Sequence, residues 1–206
     1  MLNHMTKDSE NRLLIQPLIN FLGQFHTLSN EFINYHIEKC EIIHVKKNKF
    51  ILSPIDNNNL IYFVLKGVVR GFVREGQKDI TTWFSFENEL ISAIRQPNGS
   101  SNHSKEYLQA VEDCRLICIP YENIDVLAQH YPEANPISRK LLEQQLHAAS
   151  ERSILARIPS AIDRYLKLED SSMDTNRIPL RHLSSYLGIR LETLSRIRNK
   201  SLRLAC

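Results

Sequence analysis

Residues 178–200 read IPLRHLSSYLGIRLETLSRIRNK. Leu180, Leu183 and Leu187 recur at helical spacing, so the first half reads as an amphipathic helix with Arg181 and Ser185 on its outer side. Ser184 is small at a place where a second helix could cross. Gly188 suits the left-handed backbone position that ends a helix in a tight turn, and Ile189 can plug the corner. A second helical pattern then starts. It turns Leu194 and Ile197 inward and leaves Glu192, Thr193, Ser195, Arg196 and Asn199 outside. Helix, glycine-centred turn and outward polar helix make the helix-turn-helix plan. A helical hairpin that only closes a core has the same apolar spacing. The free face separates the two readings: arginine pairs with guanine, glutamate with the cytosine amino group, and serine or threonine with either strand's groups.

Charge is distributed to match. The 206-residue chain carries a net +3, but the segment from Glu151 to Cys206 holds 11 Lys and Arg against 6 Asp and Glu, a net +5. The first 150 residues hold 15 against 17, a net −2. A basic quarter on a near-neutral body fits a polyanion-binding module appended to another domain. The overall composition, 42% hydrophobic and 24% charged, is that of an ordinary globular chain. No apolar run reaches bilayer length, and the opening MLNHMTKDSENR has no apolar core of a secretory signal, so a cytoplasmic location is expected. Cys40, Cys114, Cys118 and Cys206 form no metal-type spacing. Cys114 and Cys118, four apart on a strand, lie about 13 Å from each other, too far for a disulfide. They read as small buried hydrophobes, and no metal site is expected.

Between residues 40 and 120 short β-branched and aromatic runs follow one another: CEIIHV, KFILS, LIYFVL, VVRGFVR, DITTWFSF, ELISAI, YLQAV and CRLICIP. Polar turns such as PIDNNN and EGQK separate several of them, which predicts an antiparallel roll or sandwich. VREGQKDI is the clearest hairpin, with Gly76 in its turn. Strict alternation after it places Ile80, Thr82, Phe84 and Phe86 on one face, and Thr81, Trp83 and Ser85 on the other. Gly67 and Gly71 interrupt strong strands and predict a bulge or a close backbone approach.

Helices flank this section. Leu13 to Phe25 and Ser29 to Lys39 read as two short ones, the first beginning near Pro17 and the second capped by Ser29 or Asn30. YENIDVLAQHYP is a third. NPISRKLLEQQLHAASERSILAR is a long fourth, with Asn135 as its cap and Pro136 at its first position. Ile137, Leu141, Leu142, Leu146 and Ala149 form its apolar stripe, which suits either packing on its own domain or a seam with a second subunit. Ile158–Pro159 reads as a hinge into the last domain.

SSYLGIRLETLSRIR, with DRYLKLED upstream, resembles the recognition region of the Crp/Fnr family of bacterial transcription regulators. IYFVLKGVVRGFV resembles the strand pair of that family's cyclic-nucleotide-binding-type β-roll. The resemblance covers nearly the whole chain. It implies an α+β fold: an N-terminal β-roll over residues 1–132, a dimerisation helix over 133–157, and a helix-turn-helix domain over 158–206 with a short or missing wing. It implies a homodimer, seamed along Ile137, Leu141, Leu142, Leu146 and Ala149, bound to double-stranded DNA at a near-palindromic site, with RNA polymerase as a further partner. Glu192, Ser195 and Arg196 match the family's base-reading positions. Arg181, His182 and Thr193 fall where the family contacts phosphate, and Arg190 is expected as a further phosphate contact although it does not match the family's residue there. Arg190 departs from the usual serine or threonine cap, and Leu191 from the second base-reading arginine of the cyclic-AMP-responsive members.

The same resemblance sets expectations about an effector. Cyclic-AMP-binding members carry a Gly-Glu pair and an Arg-Ser or Arg-Thr pair in the roll. FENELISAIRQPNGSSNHSKEYLQAVEDC has no Gly-Glu, and no arginine between Arg95 and Arg115. Lys105 is the cation near that place and reads as a solvated charge. A cyclic-nucleotide site of the usual kind is therefore not expected, and no cofactor is assigned. No cysteine cluster precedes Cys40, so the family's iron–sulfur mode is not expected either. No nucleophile–base motif or phosphate loop points to an enzyme. A sensor whose last domain contacts protein instead of DNA remains the alternative.

Overall fold

The structure, a computed structural model, describes residues 7–57, 59–93 and 103–204. Eight strands form where the eight apolar runs lie: β1 (Glu41–Val45), β2 (Phe50–Leu52), β3 (Leu60–Lys66), β4 (Val69–Glu75), β5 (Lys78–Ser85), β6 (Leu90–Ile91), β7 (Tyr107–Ala110) and β8 (Cys114–Pro120). They pair antiparallel into two four-stranded sheets, ordered β1-β8-β3-β6 and β2-β7-β4-β5. Between the sheets lie Leu52, Tyr62, Val64, Val69, Leu108 and Leu116.

β3 and residues 116–119 of β8 read as continuous apolar runs because both of their faces are covered. Tyr62, Val64, Leu116 and Cys118 point between the sheets. Their neighbours Phe63, Ile117 and Ile119 pack instead against helices α1 (Lys7–Leu22), α2 (Asn30–Lys39), α3 (Glu122–His130) and the start of α4 (Ala134–Arg157). A side chain that alternates between two apolar layers carries no polar signature. The three described cysteines are buried, and burial pushes the Cys40 thiol up to about 12 and those of Cys114 and Cys118 to about 11.

Some local expectations change. Pro17 lies inside α1, not at its start. Pro17 removes one backbone donor, while Ile15, Leu18, Ile19 and Leu22 bury the helix face around it. Ser29 caps α2 as expected, its Oγ accepting from the Phe32 N–H at 3.2 Å. Asn135 is not the cap of α4. The helix begins at Ala134, and Asn135 donates to the Ala128 carbonyl instead.

Both glycine expectations hold. Gly67 sits at φ +103°, and a Cβ there would meet Cys114 Sγ at 2.6 Å. Gly71 lies under the Trp83 indole, in the space a side chain would need. The pairing slips between Gly71 and Phe72, so Trp83 opposes Gly71 and Thr81 opposes Phe72. This bulge takes up Thr82 and breaks the strict alternation read from the sequence. Thr81 and Phe84 face the C-terminal helices, and Trp83 points between the sheets.

The C-terminal section holds α5 (Ala161–Glu169), a 3-10 turn (Thr175–Arg177), α6 (Leu180–Leu187) and α7 (Leu191–Leu204). Ser160 caps α5 directly after the Ile158–Pro159 pair, which is extended at Ile158. Among the described residues no helix is long and apolar enough to cross a membrane.

Candidate nucleic-acid interface

α6 and α7 form the expected hairpin. Gly188 closes α6 at φ 63° and ψ 37°, its N–H returned to the Ser184 and Ser185 carbonyls. Ile189 N–H follows at 3.0 Å from the Ser184 carbonyl, which satisfies the helix end. Leu183, Leu187, Leu194 and Ile197 are buried together with Tyr165 and Leu168 of α5. Each such side chain contributes about 1.5–3 kcal/mol by leaving water. Ser184 is buried in the elbow, its hydroxyl donating to the Arg181 carbonyl.

The opposite face of α7 is open. Glu192 and Arg196 are exposed, and Ser195 and Thr193 are half-buried. Arg190 is exposed just before the helix, where its carbonyl accepts from the Leu194 N–H. Leu191 is also exposed on this face. Among the described residues no ion pair or hydrogen bond engages the side chains of Glu192, Arg196 or Arg190. Arg198 differs: its guanidinium donates to Asn176 Oδ1 at 2.9 Å, so it braces the loop before α6.

α6 presents only part of its outer side to solvent. It packs on β5. Ser185 Oγ accepts from the Thr81 N–H at 3.0 Å and donates to the Asp79 carbonyl at 2.8 Å. The Tyr186 ring lies edge-on to Phe84, 5.4 Å between centroids. Arg177 grips Glu87 through two hydrogen bonds, 2.8 and 2.7 Å, and also pairs with Glu112. Val68, Phe84 and Val111 of the roll join the same apolar cluster as the hairpin. The outward placement expected for Ser185 is thus corrected, because the roll supplies a second surface for α6.

The expected phosphate contacts divide. Arg181 and Arg190 are exposed and Thr193 half-exposed, but His182 is buried, at 5% of its free exposure. Burial, together with Arg70 and Arg181, pushes its pKa down to about 4, so it is neutral at pH 7. A buried neutral imidazole is not placed to grip a DNA phosphate, and that expectation is corrected for this arrangement.

The apolar stripe of α4 divides too. Ile137 is buried against α1 and α2 of its own chain, and Leu141 packs on the same cluster. Ile137 is therefore a core residue and not available to a second copy. Leu142, Leu146 and Ala149 are exposed, with Leu146 at 71%. Arg95, named in the effector segment, lies outside the described residues, and Lys105 is exposed.

No protein-family model matches the chain. A curated relative, the transcriptional activator protein Anr of Pseudomonas protegens, is 21% identical over 166 residues, 74% of this chain and 67% of that protein. The solved structure of FixK2 from Bradyrhizobium japonicum superposes with a TM-score of 0.68 at 17% identity, over 81% of this chain and 86% of that one. A transcriptional regulator of the crp/fnr family from Eubacterium rectale superposes at 0.66 and 17% identity, over 89% of this chain and 88% of that one. The fold is that of the Crp/Fnr regulators. The resemblance read from SSYLGIRLETLSRIR and IYFVLKGVVRGFV is thereby borne out, as is the α+β reading of a roll followed by a helix-turn-helix.

In Crp/Fnr terms, the sequence reading found the output helix and missed how the roll meets it. Asp79 and Thr81 with Ser185, and Glu87 and Glu112 with Arg177, are joined across 65 to 106 positions. Ordinary surface-type residues carry these contacts, and no local spacing marks them. The one available signal was Arg70, a charged residue inside the apolar run VVRGFV.

Proposed function

We propose that this chain is a sequence-specific DNA-binding transcription regulator acting as a cytoplasmic homodimer on a near-palindromic site. The observation that carries this reading is the free polar face of α7. Glu192, Ser195 and Arg196 stand on a helix whose other face is fully used by the core. A hairpin that only closed a core would not need that set. Arg196 reads guanine through its two-pronged donor geometry, Glu192 accepts from a cytosine amino group, and Ser195 supplies a short third contact. Arg181, Arg190 and Thr193 are assigned to backbone phosphates, which position the helix without reading sequence.

The exposed Leu142, Leu146 and Ala149 recur four and three residues apart on α4, the spacing of a helix seam. A two-fold dimer through this seam sets two α7 helices against half-sites about one helical turn apart. RNA polymerase is the expected further partner, and no catalytic role is assigned. The description of Anr as a transcriptional activator supports this reading.

The test is Arg196→Ala against duplexes varied one base pair at a time. A loss of about 1–3 kcal/mol confined to one guanine position per half-site is expected. Equal loss on every duplex would assign Arg196 to phosphate and remove the base-reading role.

A further inference from the structure

The outer side of the β2-β7-β4-β5 sheet carries two arginines on one strand, Arg70 and Arg74, and α6 lays Arg181 and His182 opposite them. Between lies a cleft of about 240 Å³, with Phe50 and Asp79 also in its wall. Arg70 is only 3% exposed and is held on three sides. Its Nε donates to Gln109 Oε1 at 2.8 Å, Nη1 to Thr81 Oγ1 at 3.3 Å and Nη2 to Asp79 Oδ2 at 2.9 Å. Its guanidinium also lies 4.1 Å over the Phe72 ring. A guanidinium has five N–H donors, so Arg70 keeps donors to spare in a fixed orientation. Arg74 Nε donates to Asp79 Oδ1 at 3.1 Å while its guanidinium covers Tyr107.

The cleft thus sets one carboxylate against three arginines. Asp79 is shared by Arg70 and Arg74, and Arg181 has no ion pair among the described residues. With His182 neutral, the cleft carries an excess of two positive charges. His182 lines the cleft beside these arginines. It is 95% buried, and its backbone N–H donates to the Pro179 carbonyl, which fixes the ring against the cleft wall. The downward push of Arg70 and Arg181 on His182 reports the same positive potential.

We propose that this cleft binds a small phosphate dianion, free or as a phosphate monoester, bridging the roll to α6. The charge matches, since a phosphate monoester carries about −1.5 to −2 at pH 7. The geometry also matches: arginine forks fit phosphate oxygens in pairs, from Arg70 on the roll and Arg181 on the helix, with a His182 nitrogen as a third partner. The exposed Phe50 ring at the rim gives the ester group an apolar surface. A bound phosphate would tie the helix-turn-helix to the roll through charges that the DNA reading leaves unassigned at Arg70 and Arg74.

The proposal is tested on the full chain without DNA. Thermal unfolding is followed while inorganic phosphate or phenyl phosphate is added, with chloride at matched ionic strength as the control. A saturable rise in midpoint with both phosphates, absent with chloride, is expected. Arg181→Gln and Arg74→Gln, both at solvent-reached positions, are each expected to raise the half-saturating concentration about tenfold or more. No saturable rise, or the same rise in both variants as in the parent, overturns the proposal. Duplex binding that depends on Arg181 in a protein that phosphate does not stabilise would assign this arginine to a DNA backbone, and also overturns it.

Discussion

Arg177→Met should loosen the junction between the roll and the helix-turn-helix, and the loss should fade in acid. Glu87 accepts two hydrogen bonds from Arg177 and one from the Gly67 N–H at 2.8 Å. The Arg177 hydrogen bonds, first among the causes, pull its carboxyl from an ordinary 4.5 down to about 2. Taken whole, that difference corresponds to a ceiling of about 3 kcal/mol. The Glu87 side chain is 31% exposed, however, so solvent screening and the share owed to Gly67 reduce the Arg177 contribution to about 1–2 kcal/mol. Methionine keeps much of the arginine stem's apolar contact and removes the charge, together with the guanidinium's place 5.5 Å from the Phe86 ring centre.

The sign follows from the direction. A carboxyl whose pKa is lowered on folding stabilises fully above 4.5 and loses that stabilisation as pH falls towards 2. Urea denaturation of parent and variant at pH 7 should differ by about 1–2 kcal/mol, and the gap should shrink steadily between pH 4.5 and pH 2. A gap that is constant across this window would refute the reasoning, because the variant would then be weakened through packing and not through the ion pair.

Gly71→Ala should cost about 1–3 kcal/mol in thermal or urea unfolding, with a changed Trp83 emission, because the new methyl takes the space of the indole. Gly188→Ala should cost about 1–2 kcal/mol at its left-handed position and little through contact, since nothing lies within 4 Å of the added carbon. Leu194→Ala should cost about 2–5 kcal/mol, for this residue is fully buried between α7 and α5. Leu142→Asp with Leu146→Asp should leave the folding midpoint nearly unchanged and shift sedimentation to a monomer, since both side chains are exposed in the single chain. A dimer that survives that pair would move the seam away from α4.

The strands and the hairpin were legible because their signals are local. The dense β-branched and aromatic run IYFVLKGVVRGFV and the three-to-four spacing around Gly188 need only neighbours in sequence. Where alternation failed, at Thr82, the cause was a bulge set by the cross-strand contact of Gly71 with Trp83. The apolar stripe of α4 was visible, but spacing could not show that its first turns lie on α1 and α2, so Ile137 was assigned to the wrong neighbour. His182 and Ser185 were misplaced for the same reason. A helix reading assigns one inner and one outer side, while α6 is covered by α7 on one side and by β5 on another. Contacts between residues more than a hundred positions apart, such as Ser185 to Asp79, leave no trace in spacing.

Selection of bound duplexes from a random pool tests the central claim most directly. The free face of α7 and the exposed stripe of α4 together predict enrichment of a two-fold symmetric motif, its half-sites about one helical turn apart and each with a guanine whose enrichment is lost in Arg196→Ala. Binding that enriches no motif, or one without two-fold symmetry, would contradict the account.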